Sequence, residues 1–139
     1  MRSGAGFDYH PAGLEIGTHA IHLTPEGRQD PLFATLPASF PAQLVHRQSA
    51  LILPPGASVL AHNAHEPHQA FRIGRCAWGV QFHPEFSAAA MQGYLDRLAP
   101  DAGSVARPTP EAASLLMRFG MLAANSLRST EETTGPNRP

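Results

Sequence analysis

The sequence predicts an α/β domain, on three observations. Apolar residues recur in short runs with period-two alternation, as strands require. Two later stretches carry helical spacing instead, Met91, Tyr94, Leu95 and Leu98 in one and Ala112, Leu115, Leu116, Phe119, Leu122 and Ala123 in the other. Fourteen prolines and twelve glycines among 139 residues cut the chain into short elements joined by tight turns.

With 42% hydrophobic and 15% charged residues, the chain suits one soluble domain with a real core, or part of a larger one. A formal net charge of -1 supplies no attraction to polyanions, so neither nucleic acid nor a membrane is expected as a partner. There is no apolar run of transmembrane length, and Met1-Arg2-Ser3-Gly4 leads into no signal-peptide core, so a cytoplasmic location is expected.

Gly4 to Gly17 reads as turn-rich, with Leu14 and Ile16 as apolar anchors. Thr18 to Thr24 reads as a strand with His19, Ile21 and Leu23 on one face and Ala20 and His22 on the other. The two histidines therefore diverge, whereas zinc needs converging ligands. Thr24-Pro25 starts a short helical turn that ends at the pre-proline Asp30 and sets Leu32, Phe33 and Leu36 against the core. Phe40 to Gln48 is expected to be a strand running into a loop, followed by the apolar run Leu51 to Leu53 and a strand from Ser58 to Asn63. His62, His65, Glu66 and His68 have the side chains of a metal clip, but Pro67 excludes the helix that would align them. A solvated hairpin loop is expected there and no metal site. Gly74-Arg75 reads as a turn leading into the next strand.

The central stretch is Trp78-Gly79-Val80-Gln81-Phe82-His83-Pro84-Glu85-Phe86. Trp78, Val80 and Phe82 alternate with Gly79, Gln81 and His83, so the strand delivers His83 at its end. Pro84 cannot donate to a ladder and stops it. Glu85 follows on the same turn, an acid able to hold the imidazole and stabilise its charged form while the ring moves protons. A nucleophile is missing from this pair. Cys76, the single cysteine, opens a strand instead of sitting on a strand-to-helix elbow, and is not expected to serve. Phe86 and Ser87 then form a staple and cap for a helix that ends at Pro100. Residues 101–108 read as a linker, 109–128 as a C-terminal helix whose apolar face must be buried against the domain or against a partner chain, and 129–139 as a disordered tail.

The stretch Trp78 to Glu85 resembles the C-terminal signature of the triad-type class I glutamine amidotransferases, above all their GMP-synthase-like group, and the similarity runs from about Gly4 to about Leu98. The resemblance implies a three-layer, flavodoxin-like class I glutamine amidotransferase fold, of which residues 1–100 are the C-terminal half, truncated at the N-terminus. It implies that His83 and Glu85 are two members of a Cys-His-Glu triad whose cysteine attacks the carboxamide of glutamine, with ammonia passed to an acceptor through a synthetase or companion chain. It also implies a substrate-side role for His46 and Arg47, although Val45 and Gln48 depart from the family's pattern beside them, and a plain turn-stabilising role for His46 stays open. No cofactor is expected. Without the family's small-Cys-small elbow, the chain alone is expected to be inactive. The rival readings are a non-catalytic interaction module that docks through its sheet edge and last helix, a relative acting on gamma-glutamyl peptides, and a histidine-rich metal binder.

Overall fold

Thr24-Pro25 fixes the first helix as its chemistry requires. In the computed structural model, which describes residues 6–133, the Thr24 hydroxyl accepts the Gly27 N–H at 3.0 Å and Pro25 opens α1 (Pro25–Gln29). The same hydroxyl donates to the Val59 carbonyl at 2.7 Å, which pins the helix start to a strand. The other helices are α2 (Ala88–Leu98) and α3 (Pro110–Thr133), with a 3-10 turn at Pro100–Ala102 between them. Strands among the described residues are β1 (Gly6–Tyr9), β2 (Glu15–Leu23), β3 (Ser39–His46), β4 (Gln48–Ile52), β5 (Ala57–His62), β6 (Ala70–Ile73) and β7 (Ala77–Val80).

β1 and β4 form a small antiparallel pair, and the other five strands make an antiparallel sheet in the order β3-β2-β5-β6-β7. β2 and β5 share only the pairs His22↔His62 and Leu23↔Ala61, so the sheet is narrow at its middle and free to curl. It does curl: the His83 N–H, just past edge strand β7, donates at 2.8 Å to the Gln43 carbonyl on the opposite edge strand β3. Phe82, the residue before His83, meets the Phe40 ring edge-on at 6.1 Å. The core of Ile21, Phe33, Phe40, Leu44, Leu60 and Phe82 fills the curl, and Ala112 and Leu115 bring α3 onto it.

Asp30 does more than close a turn. Its buried carboxylate accepts from the Leu32 N–H at 2.9 Å, the Arg72 guanidinium at 2.7 Å and the Trp78 indole N–H at 3.0 Å, tying the loop after α1 to β6 and β7. Burying a carboxylate is costly unless donors replace its water, and here three segments supply them.

Several expectations are corrected. β1 lies inside the stretch read as turn-rich, because its ladder partner is β4, far along the chain. His19 is exposed while Ile21 and Leu23 are buried, its Nε2 held at 2.6 Å from the Ile16 carbonyl oxygen. β7 stops at Val80, where the chain turns to cross to β3. The expected apolar face of α3 is only partly covered: Ala112 and Leu115 are buried, but Leu116 is 54% and Phe119 49% exposed. α3 also continues to Thr133, into the stretch read as a tail, and 134–139 lie outside the described residues, as do Met1 to Ala5 with the leader reading made on them.

The β5–β6 register shifts between Val59 and Ala61, which frees the Leu60 carbonyl to accept the Thr24 N–H at 2.9 Å. Gly27 packs directly on that carbonyl, and a Cβ there would overlap it. Gly27→Ala is therefore expected to lower the unfolding free energy by about 1–3 kcal/mol, as overpacking against backbone does. Urea unfolding measures this, and an unchanged midpoint would show that α1 can slide.

Candidate active site

The turn after β7 carries His83 and Glu85. Pro84 ends the ladder, and the Phe86 N–H closes back on the His83 carbonyl at 3.3 Å, which puts the acid beside the ring. His83 Nδ1 and Glu85 Oε1 are 2.8 Å apart, with side chains 35% and 52% exposed. An ionised carboxylate only accepts, so Nδ1 carries the proton and donates, leaving Nε2 as the basic nitrogen of the neutral ring. Among the described residues nothing hydrogen-bonds Nε2. The ring's face is fixed as well: it stacks on Phe86 at 4.3 Å and 10°, Phe86 stacks on Tyr94 at 5.3 Å, and the Arg97 guanidinium lies 5.0 Å over Tyr94. Ser87 caps α2 by accepting the Ala90 N–H at 3.1 Å, so the helix supplying Tyr94 and Arg97 starts in register with the turn. The staple expected of Phe86 thus takes the form of this stack.

His46 ends β3, three residues beyond the Gln43 that holds His83, or roughly 10 Å along the strand. Its side chain is 10% exposed, with Nε2 at 2.7 Å from Glu15 Oε1 and Nδ1 at 3.1 Å from the Gln48 carbonyl oxygen. Arg47 is exposed, and its carbonyl accepts the His10 N–H at 2.8 Å. Burial pushes Glu15 up and His46 down, yet both end displaced the other way. Donation by His46, Asn63 and Gln69, with the imidazolium charge, holds Glu15 below the usual carboxylate range. Bonds to Glu15 and the Gln48 carbonyl, with the charges of Glu15 and Glu66, hold His46 above the usual imidazole value.

The loop histidines part company. His62 is exposed with its ring 5.8 Å from that of His22, His65 stacks on His10 at 4.5 Å, and His68 Nδ1 lies 2.6 Å from the Ala50 carbonyl oxygen. No group of three or more His, Cys, Asp or Glu side chains is placed to hold a metal ion among the described residues. Cys76 is exposed in the turn between β6 and β7, at the end of β7 away from His83. Sequence reasoning misses the cluster of Glu15, Asn63 and Gln69, although one carboxylate between Leu14 and Ile16 at a strand start is a detectable signal. No helix among the described residues is long and apolar enough to cross a membrane.

The family model for the class-I glutamine amidotransferase matches residues 7–97, more than half of the chain, and the chain belongs to that family. A GMP synthase (glutamine-hydrolyzing) of Porphyromonas gingivalis is 40% identical over 65 residues, covering 46% of this chain and 13% of the relative. The structure of a putative GMP synthase component from Thermoplasma acidophilum superposes with a TM-score of 0.68 at 19% identity, over 93% of this chain and 53% of that one. A glutamine amidotransferase from Thermotoga maritima gives 0.60 at 22% identity, over 86% and 52%. The fold is thus that of the matching half of the flavodoxin-like class I glutamine amidotransferases, here made of the antiparallel strands described above. The chain spans about an eighth of the length of the first GMP synthase and about half of these solved chains.

An ion pair this exposed adds little to stability. Glu85→Gln is expected to change the unfolding free energy by less than about 0.5 kcal/mol. Chemical denaturation reads this directly, and a loss above about 1 kcal/mol would make the pair a structural strut.

Proposed function

We propose that this chain supplies the proton-handling part of a class I glutamine amidotransferase, with His83 as general acid and base and Glu85 as its orienting carboxylate. The observation that carries the reading is the 2.8 Å contact at His83 Nδ1 combined with an Nε2 that no described residue hydrogen-bonds. In the proposed cycle Nε2 takes the proton of a cysteine thiol as its sulfur attacks the carboxamide carbon of glutamine. The imidazolium, held by Glu85, gives that proton to the departing ammonia, and a glutamyl thioester forms. Nε2 then draws a proton from water, hydroxide adds to the thioester, and the proton returns to the sulfur as glutamate leaves.

Within these 139 residues the single thiol, Cys76, stands in a strand-to-strand turn without an elbow or an oxyanion-stabilising helix start. The nucleophile therefore comes from a segment outside them, on the same polypeptide or on a companion. Ammonia passes to an acceptor, and likeness to GMP synthases favours a nucleotide activated by a synthetase. The turn of His46 and Arg47 is assigned to the substrate side, its backbone and the exposed Arg47 being what a substrate would meet, since Glu15 and the Gln48 carbonyl occupy both His46 ring nitrogens.

Glutamine hydrolysis tests this. The chain as given is expected to release no glutamate above a His83→Ala control. Supplied with a family segment that bears the strand, small-Cys-small elbow and helix, it is expected to gain turnover that His83→Ala lowers by about 10²–10⁴-fold. Turnover in that complex at equal rates with and without His83 would overturn the assignment.

A further inference from the structure

We propose that Glu15 is a positioning residue, the buried fixed point to which both the His46-Arg47 turn and the strand leading to His83 are tied. The inference rests on the amidotransferase reading for what the two turns do, but its own content is the coupling between them.

The carboxylate is 5% exposed and opens β2, facing His46 in the β2–β3 ladder. It receives three side-chain donors from distant parts of the chain: His46 Nε2 at 2.7 Å, Asn63 Nδ2 at 2.6 Å and Gln69 Nε2 at 2.8 Å. Gln69 Nε2 also donates to Asn63 Oδ1 at 3.0 Å, so two acceptors fix the orientation of its amide. From Gln69 the connection reaches the other turn. Its carbonyl accepts the Gln81 N–H at 2.9 Å, and the neighbouring His68 carbonyl accepts Gln81 Nε2 at 2.9 Å, two residues before His83.

His46 faces acceptors at both ring nitrogens, Glu15 on one side and the Gln48 carbonyl on the other, with the Ser49 hydroxyl 3.4 Å from Nδ1. Only the doubly protonated ring can donate to both. Other titratable groups close to the pair are His10, Glu66, His65 and His68. His10 Nε2 is 3.5 Å from Glu66 Oε2, His65 meets the His46 ring edge-on at 6.1 Å, and the His68 N–H donates to Glu66 Oε1 at 2.9 Å. Glu66 is fully buried and adds to the negative field on His46.

The signs define a pH window. His46 is raised, so its contribution is complete below the ordinary imidazole value of about 6.5 and fades as pH climbs through its higher folded value. Glu15 is lowered, so its contribution is complete above the ordinary carboxylate value of about 4.3 and fades as pH falls through its lower folded value. The tie is strongest between those ordinary values.

The test uses nitrogen-15 NMR of the full chain. In the wild type, His46 is expected to titrate above an ordinary histidine and to carry protons on both nitrogens below its midpoint. Glu15→Gln is expected to bring that midpoint down. It should also speed amide exchange by about tenfold or more at His10, which reads the Arg47 carbonyl, and at Gln81, which reads the His83 side. Should Glu15→Gln fail to fold, Glu15→Asp keeps the charge on a shorter stem and is expected to move the same signals less. An ordinary His46 midpoint in the wild type, an unmoved midpoint in a folded variant, or unchanged exchange at Gln81 would each overturn the proposal. None of these signals depends on glutamine, so the amidotransferase reading stands or falls separately on the hydrolysis assay.

Discussion

One backbone hydrogen bond, from His83 to the Gln43 carbonyl, joins the two edges of the curled sheet. An edge strand ordinarily presents unpaired groups to solvent. Here the chain leaving β7 satisfies one such group on β3, and the contact sets His83 above the junction. Gln43 is fully buried, and its side chain closes the same junction from within, accepting the Thr18 hydroxyl at 2.7 Å and donating to the Arg107 carbonyl at 2.7 Å. The stretch read from composition as a linker is thereby sewn to β2 and β3. The candidate catalytic histidine stands where sheet closure, linker and helix start coincide.

Two buried carboxylates organise the rest. Asp30 gathers its own loop, Arg72 and Trp78, while Glu15 gathers His46, Asn63 and Gln69. The strands are short and the sheet is pinched between β2 and β5, so ladder pairing alone leaves the loops poorly fixed. Charge-assisted hydrogen bonds, about twice as strong as neutral ones, supply the cross-ties. They also demand specificity, since a misplaced donor would strand a buried negative charge.

Much of this was legible in the sequence where cause and effect lie close together. The alternation from Trp78, the stop at Pro84, the Ser87 cap and the Thr24-Pro25 start all act within a few residues, and each element formed near its expected place. The nearness of Glu85 to His83 is of the same kind. What could not be read depends on distant partners. β1 has a ladder only because β4 is beside it, and Glu15 finds its donors 31, 48 and 54 positions further along. The α3 face is of this kind too: spacing shows which residues share a side, but not that the domain itself covers only Ala112 and Leu115 of them closely.

The column of His83, Phe86, Tyr94 and Arg97 is made wholly from one turn and the helix it starts. The stack itself is thus carried by a contiguous stretch of some fifteen residues. The plane of the imidazole is therefore set by neighbours in sequence, while its position over the sheet is set by the bond to Gln43.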